Sequence, residues 1–186
     1  MQKSTFKLTK HELDFISDPI YMQMKQNLIR NFFDGMHGVG AWLMQKYYPN
    51  ITRKFKVTRG ENYIDMPYIV LDVPQLSQEN LTGTLRIMFW WGHYISLQYF
   101  TRVDADYLIK LNTLKHKPYL LSIAENLFNN KLDDDEFMPI NNLKLDDATL
   151  PCIGKVCYKI DLSELGNIEP HIIQFMDDMM ELENQK

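Results

Sequence analysis

Cysteine is nearly absent from this chain. Only Cys152 and Cys157 occur in 186 residues, too few for a disulfide scaffold and in keeping with a reducing, cytoplasmic setting. Glycine and proline number eight each, which excludes collagen-like and low-complexity classes. The opening ten residues carry Lys3, Lys7 and Lys10 but no apolar run, so no secretory leader is expected. Long apolar runs are missing too. The widest, Ile20 to Tyr48, is interrupted by Lys25, Arg30, Asp34 and Lys46, whereas a membrane span needs about 20 nearly uncharged residues. A soluble protein without a membrane partner is expected.

An excess of positive charge is lacking as well. The net charge is −4, with +4 on residues 1–130 and −8 on residues 131–186. The one dense basic cluster is Arg53, Lys54, Lys56 and Arg59. Lysine commonly blunts an exposed sheet edge, so the cluster reads as a solvated strand and nucleic acid is disfavoured as a partner.

The familiar catalytic signatures are missing. There is no G-x-x-x-x-G-K-[ST] and no G-x-S-x-G. Gly38-Val39-Gly40 follows no strand, which is the wrong context for a dinucleotide fingerprint. No cofactor is identifiable. His11, His37, His93, His116 and His171 are scattered outside any ligand spacing. Cys152 and Cys157, five apart, fall on opposite faces of a strand. Asp133-Asp134-Asp135-Glu136 lacks the alternating ligands and turn glycine of a calcium loop. No metal is expected.

What the chain does hold is an aromatic and methionine surplus, with three Trp, ten Tyr, ten Phe and eleven Met. These residues sit in periodic patterns. Thr9 and Glu12 match a capping box opening a short helix to Ser17, and Asp18-Pro19 opens a second. Ile20, Met24, Leu28, Phe32, Met36, Val39 and Leu43 then form a helical stripe. Gly35, Gly38 and Gly40 each cost about 1 kcal/mol in a helix interior, so a break or kink is expected there.

Strands are expected over Ile51–Thr58, Tyr63–Asp72, Thr84–Trp91, Tyr94–Thr101 and Gly154–Asp161, with a turn at Arg59-Gly60-Glu61. In the Thr84–Thr101 hairpin an odd loop aligns Phe89 with Ile95, Ile87 with Leu97 and Leu85 with Tyr99. A one-residue slip would mix apolar and polar side chains on one face, so the odd loop is favoured. Asp104 and Pro118 are read as opening two middle helices, the second carrying Leu120, Ile123, Ala124, Leu127 and Phe128. The expected chain is one domain: 1–50 helical, 51–101 two β-hairpins, 103–130 helices, 131–151 an exposed loop, 153–161 a strand and 168–184 an amphipathic helix. The class is α+β, with a roughly five-stranded antiparallel sheet flanked by the N-terminal helical segment, the middle helices and the C-terminal helix.

The candidate site is the second face of the hairpin. Arg86, Met88, Trp90, Tyr94 and Gln98 share it, and aromatic walls with a few polar groups suit a small molecule or a protein surface. The leading expectation is therefore a binding or interaction domain using these residues. A small-molecule enzyme is the alternative, with His93 as acid–base near Asp65 or Asp72. A homodimer formed through the terminal helix or a sheet edge is the third reading.

Overall fold

The computed structural model describes residues 7–77, 81–123, 126–143 and 152–184. Helix α1 (Lys10–Ser17) starts as its capping box requires. The Thr9 amide donates to Glu12 Oε2 at 2.6 Å, and the Glu12 amide donates to Thr9 Oγ1 at 3.2 Å. Asp18 then caps α2 (Pro19–Tyr47), accepting the Ile20 amide at 2.8 Å.

Helix α2 is a single helix of 29 residues, about 44 Å long at 1.5 Å per residue. The break expected at its glycines does not occur. Its second half is held by burial of Met36, Gly40 and Leu43. Gly40 itself serves packing, because a Cβ there would meet the Phe55 ring at 2.6 Å. Tertiary contact outweighs the local propensity penalty.

Seven strands rather than five form one antiparallel sheet: β1 (Lys56–Tyr63), β2 (Met66–Val73), β3 (Thr84–Trp90), β4 (Tyr94–Val103), β5 (Tyr119–Ser122), β6 (Met138–Pro139) and β7 (Cys152–Asp161), in spatial order β1-β2-β3-β4-β7-β5-β6. The fold class is α+β. The first strand starts later than expected, because its turn lies at Ile64-Asp65, both at positive φ, where Asn62 Oδ1 accepts the Asp65 amide. Gly60 sits inside the strand at a register shift, where the Tyr68 ring leaves no room for a Cβ. That glycine marks close approach, not a turn. The β3–β4 register is the one the apolar pattern demands: Phe89 faces Ile95, Ile87 faces Leu97 and Leu85 faces Tyr99, across the loop Trp91-Gly92-His93 with Gly92 at φ 72°.

Two other expectations are corrected. Among the described residues there is one middle α-helix, α3 (Ala105–Leu111), capped by Asp104. The segment after Pro118 is strand β5, pairing with β7. A short apolar run such as Tyr119-Leu120-Leu121 fits either period, and a partner strand decides it. Ala124 lies outside the described residues. The expected 131–151 loop is also partly ordered: Leu132, Phe137 and Ile140 are buried and Met138–Pro139 forms β6. Its residues 144–151 lie outside the described residues.

The sheet is buried on both faces. On the first, Leu71, Leu85, Ile87, Leu97 and Val156 meet Leu43 of α2 and Phe175, Met176 and Met179 of α4 (Ile168–Asn184). On the second, Val70, Met88, Trp90, Tyr94 and Cys157 meet Leu132 and Phe137. Residues 127–137 thus act as a strap across the second face, after which β6 extends the sheet edge and Ile140 joins the first-face core. No helix among the described residues is long and apolar enough to cross a membrane.

Candidate functional site

The five expected binding residues do share one face, and that face holds the strap. Trp90 is 2% exposed and donates its indole N–H to the Tyr63 carbonyl at 3.1 Å. The Tyr94 hydroxyl donates to the Asn130 carbonyl at 3.0 Å and accepts the Leu132 amide at 2.7 Å. Gln98 Nε2 donates to Ser96 Oγ and to Asn130 Oδ1. Met88 is buried among the same apolar neighbours. Arg86 makes a two-pronged ion pair with Asp72, at 2.7 and 3.1 Å, between the rings of Phe100 and Phe128.

Lys155 is fully buried on this face. Its ammonium donates to Gln98 Oε1 at 3.1 Å, to the Leu127 carbonyl at 3.0 Å and to the Asn129 carbonyl. Three donors meet three acceptors, the condition for a lysine to survive burial. Burial still holds its pKa below the usual lysine value, with Arg86 adding to that effect. The period of two sets Lys155 on the face opposite Val156, but it does not reveal that the strap covers that face.

His93 stands at the rim. Its ring stacks on Trp90 at 3.7 Å and meets Tyr94 edge-on. Among the described residues no carboxylate pairs with it: Asp72 is engaged by Arg86, and Asp65 sits in the β1–β2 turn. His93 borders a cleft of about 480 Å³ whose Lys159 and Asp133 are already paired to each other at 2.6 Å.

Among the described residues no group of three His, Cys, Asp or Glu could hold a metal. Cys157 is buried against the strap side and Cys152 packs toward the helices. Burial pushes the Cys157 thiol up to about 12, which leaves it inert as a nucleophile.

An apolar groove of about 300 Å³ lies on the other face of the sheet, between α2 and the start of α4. Phe32, Gly35, Met36, Phe89, Leu165 and Ile172 line it. A Cβ on Gly35 would touch nothing within 4 Å among the described residues. Outward from this groove runs the first half of α2, whose stripe continues as Leu28, Met24 and Ile20. Met24 is 54% exposed and Ile20 66%. Helix α1 has no buried residue, and its Leu13 and Ile16 are exposed. The two sections meet at Asn31, which borders both the groove and the shallow depression over Ile20, Met24 and Leu28. The periodicity picks out the residues of this stripe without dividing the buried from the exposed.

A more polar cleft of about 610 Å³ lies at the C-terminal end of α2, lined among others by Tyr48, Tyr99, Thr101, Tyr107 and Glu183. Thr101 Oγ1 donates to Glu183 at 2.9 Å, while the buried Tyr48 hydroxyl has no partner among the described residues. No family model matches the chain, and comparison with curated proteins and with solved structures finds no significant match.

Proposed function

We propose that this protein is an interaction domain whose docking element is the α1–α2 arm together with the apolar groove that continues it. In this reading the aromatic and polar face of the 84–101 hairpin serves internally, as the seat of the strap. One observation carries the reading. A single helical stripe, Ile20, Met24, Leu28, Phe32 and Met36, runs without interruption from an exposed arm into an open groove.

Apolar patches of this kind on a soluble domain mark interaction surfaces. Gly35 supports the same reading from energetics. An interior helical glycine costs about 1 kcal/mol relative to alanine, and nothing among the described residues occupies the space of its missing side chain. Glycine there lets another backbone approach closely.

The test separates surface from fold. In dilute solution, Ile20→Ser, Met24→Ser and Leu28→Ser together should leave the thermal midpoint unchanged and abolish binding of an anilinonaphthalene sulfonate dye. Gly35→Trp, which fills the groove, should also lower dye binding. A marked drop in the thermal midpoint of the triple variant in dilute solution would show that the stripe is covered by its own chain, and the reading would fail.

A further inference from the structure

We infer that the polar cleft at the C-terminal end of α2 is a binding site for a neutral, polyhydroxylated molecule of the sugar or polyol class. It lies apart from the docking arm and does not depend on it.

Four elements converge on this cleft. Tyr48 is the C-cap of α2, Tyr99 and Thr101 stand on β4, Tyr107 on α3 and Glu183 near the end of α4. The period of two places Tyr99 and Thr101 on one face of their strand. Asp104 fixes the first turn of α3 by accepting the Tyr107 amide at 2.9 Å. The volume these elements border, about 610 Å³, falls within the range of small-molecule sites.

Two hydroxyls in the wall lack what a buried hydroxyl needs. Tyr48 is 6% exposed and Tyr107 7%, and neither phenol oxygen has a hydrogen-bond partner among the described residues. Thr101 stands near Tyr107 without hydrogen-bond geometry and gives its own proton to Glu183 Oε1. Burial raises the pKa of Tyr48, Tyr99 and Tyr107 alike, and the Glu183 carboxylate adds to each rise. All three phenols therefore stay protonated at neutral pH, and all three lie close enough to Glu183 to feel its charge. A buried donor left unmade is costly, and in a native structure it calls for a partner.

The chemistry of the wall selects that partner. A protonated phenol needs an acceptor, whereas the Glu183 carboxylate needs a donor. An ammonium group would satisfy Glu183 and leave the phenol protons unmet. An anion would accept from the phenols but stand beside Glu183. Adjacent hydroxyl groups meet both needs, accepting from the tyrosines and donating to the carboxylate. The fixed charges agree, because Arg53, Arg102 and Lys110 against Asp104, Asp106 and Glu183 leave the lining with no net charge. Exposed Ile51 supplies apolar surface for the C–H side of such a molecule.

The experiment is saturation-transfer NMR on the full chain. Glucose, galactose, mannose and myo-inositol serve as neutral probes, and glucuronate and glucosamine as charged ones. At least one neutral probe should receive saturation and should bind more tightly than either charged probe. Tyr48→Phe combined with Tyr107→Phe should keep the thermal midpoint and weaken that binding about tenfold or more, as two lost hydrogen bonds require. Glu183→Gln, an exposed and conservative change, should weaken it about threefold or more. Ile20→Ser, at the far end of α2, should leave it unchanged. Should the double variant lose its fold, Glu183→Gln decides alone. Absence of saturation in every neutral probe overturns the inference, as does tighter binding of a charged one. Binding that survives the substitutions in the cleft also overturns it, because the molecule would then sit elsewhere. None of these outcomes bears on the docking arm, which lies at the other end of α2.

Discussion

The Lys155 ammonium donates to the Gln98 carboxamide at 3.1 Å, and neither side chain reaches solvent. The two stand on neighbouring strands β7 and β4, and both also hold the strap, Lys155 through the Leu127 and Asn129 carbonyls and Gln98 through Asn130. A buried cation is tolerable only while every donor has an acceptor. Gln98→Leu removes one acceptor and should cost about 1–3 kcal/mol, read as a shift in denaturant midpoint. Lys155→Met leaves Gln98 Oε1 and the Leu127 and Asn129 carbonyls without their donor and should cost more than Gln98→Leu. The double variant should cost less than the two single losses added, and simple additivity would show that the pair is not coupled.

The same lysine sets a pH dependence. Its folded pKa lies below the usual 10.5 because burial penalises the charged form. Between those two values the unfolded chain binds more protons than the folded one, so this group makes stability rise with pH across that window. Below the folded value both states are charged and the burial penalty is felt in full. Buried tyrosines such as Tyr99 act oppositely above about pH 10, since burial raises their pKa. The comparison of interest is therefore wild type against Lys155→Met. The wild type should gain stability relative to the variant as pH rises toward 10.5, measured by urea unfolding at fixed ionic strength.

The glycines of α2 should divide into two kinds. Gly35→Ala and Gly38→Ala meet nothing within 4 Å, and each should stabilise the dilute protein by up to about 1 kcal/mol. Gly40→Ala would drive a methyl to within 2.6 Å of the Phe55 ring and should destabilise by about 1–3 kcal/mol. Chemical denaturation of the three variants checks the ordering.

The strap should loosen locally when its clamp is cut. Tyr94→Phe keeps the ring but loses the donor to the Asn130 carbonyl and the acceptor for the Leu132 amide. The expected cost is about 1–3 kcal/mol, with faster hydrogen exchange at Leu132 and neighbouring amides and little change in β3. Uniformly faster exchange throughout the sheet would mean that the strap is not a separate unit.

The Tyr48 hydroxyl is buried without a partner among the described residues. Tyr48→Phe should therefore be neutral or stabilising by about 1 kcal/mol, since it removes an unsatisfied polar group without disturbing the ring. A clear loss of stability would mean that this hydroxyl is hydrogen-bonded in solution.

Local interactions made much of the fold legible. Thr9 and Glu12 satisfy each other's backbone amides, Asp18-Pro19 caps α2, and Asp104 caps α3, all within four residues of chain. The β3–β4 register was legible because a period of two leaves one alignment that keeps Leu85, Ile87, Phe89, Ile95, Leu97 and Tyr99 together. The second-face residues could be grouped for the same reason, but not what covers them.

What the sequence by itself determined, then, is the order of its local elements, their caps and the face each side chain takes. Tertiary structure decided the rest. Packing of Gly40 on Phe55 keeps α2 unbroken through its glycines, and pairing with β7 makes a strand of Tyr119–Ser122. The strap turns the expected binding face into an interior, and packing in the first-face core buries Met36 and Leu43 of the α2 stripe while Ile20 and Met24 stay exposed. Periodicity records which residues avoid water. It does not record whether the surface that shelters them comes from the same chain, because hydrophobic burial is non-directional and depends only on the area removed from water.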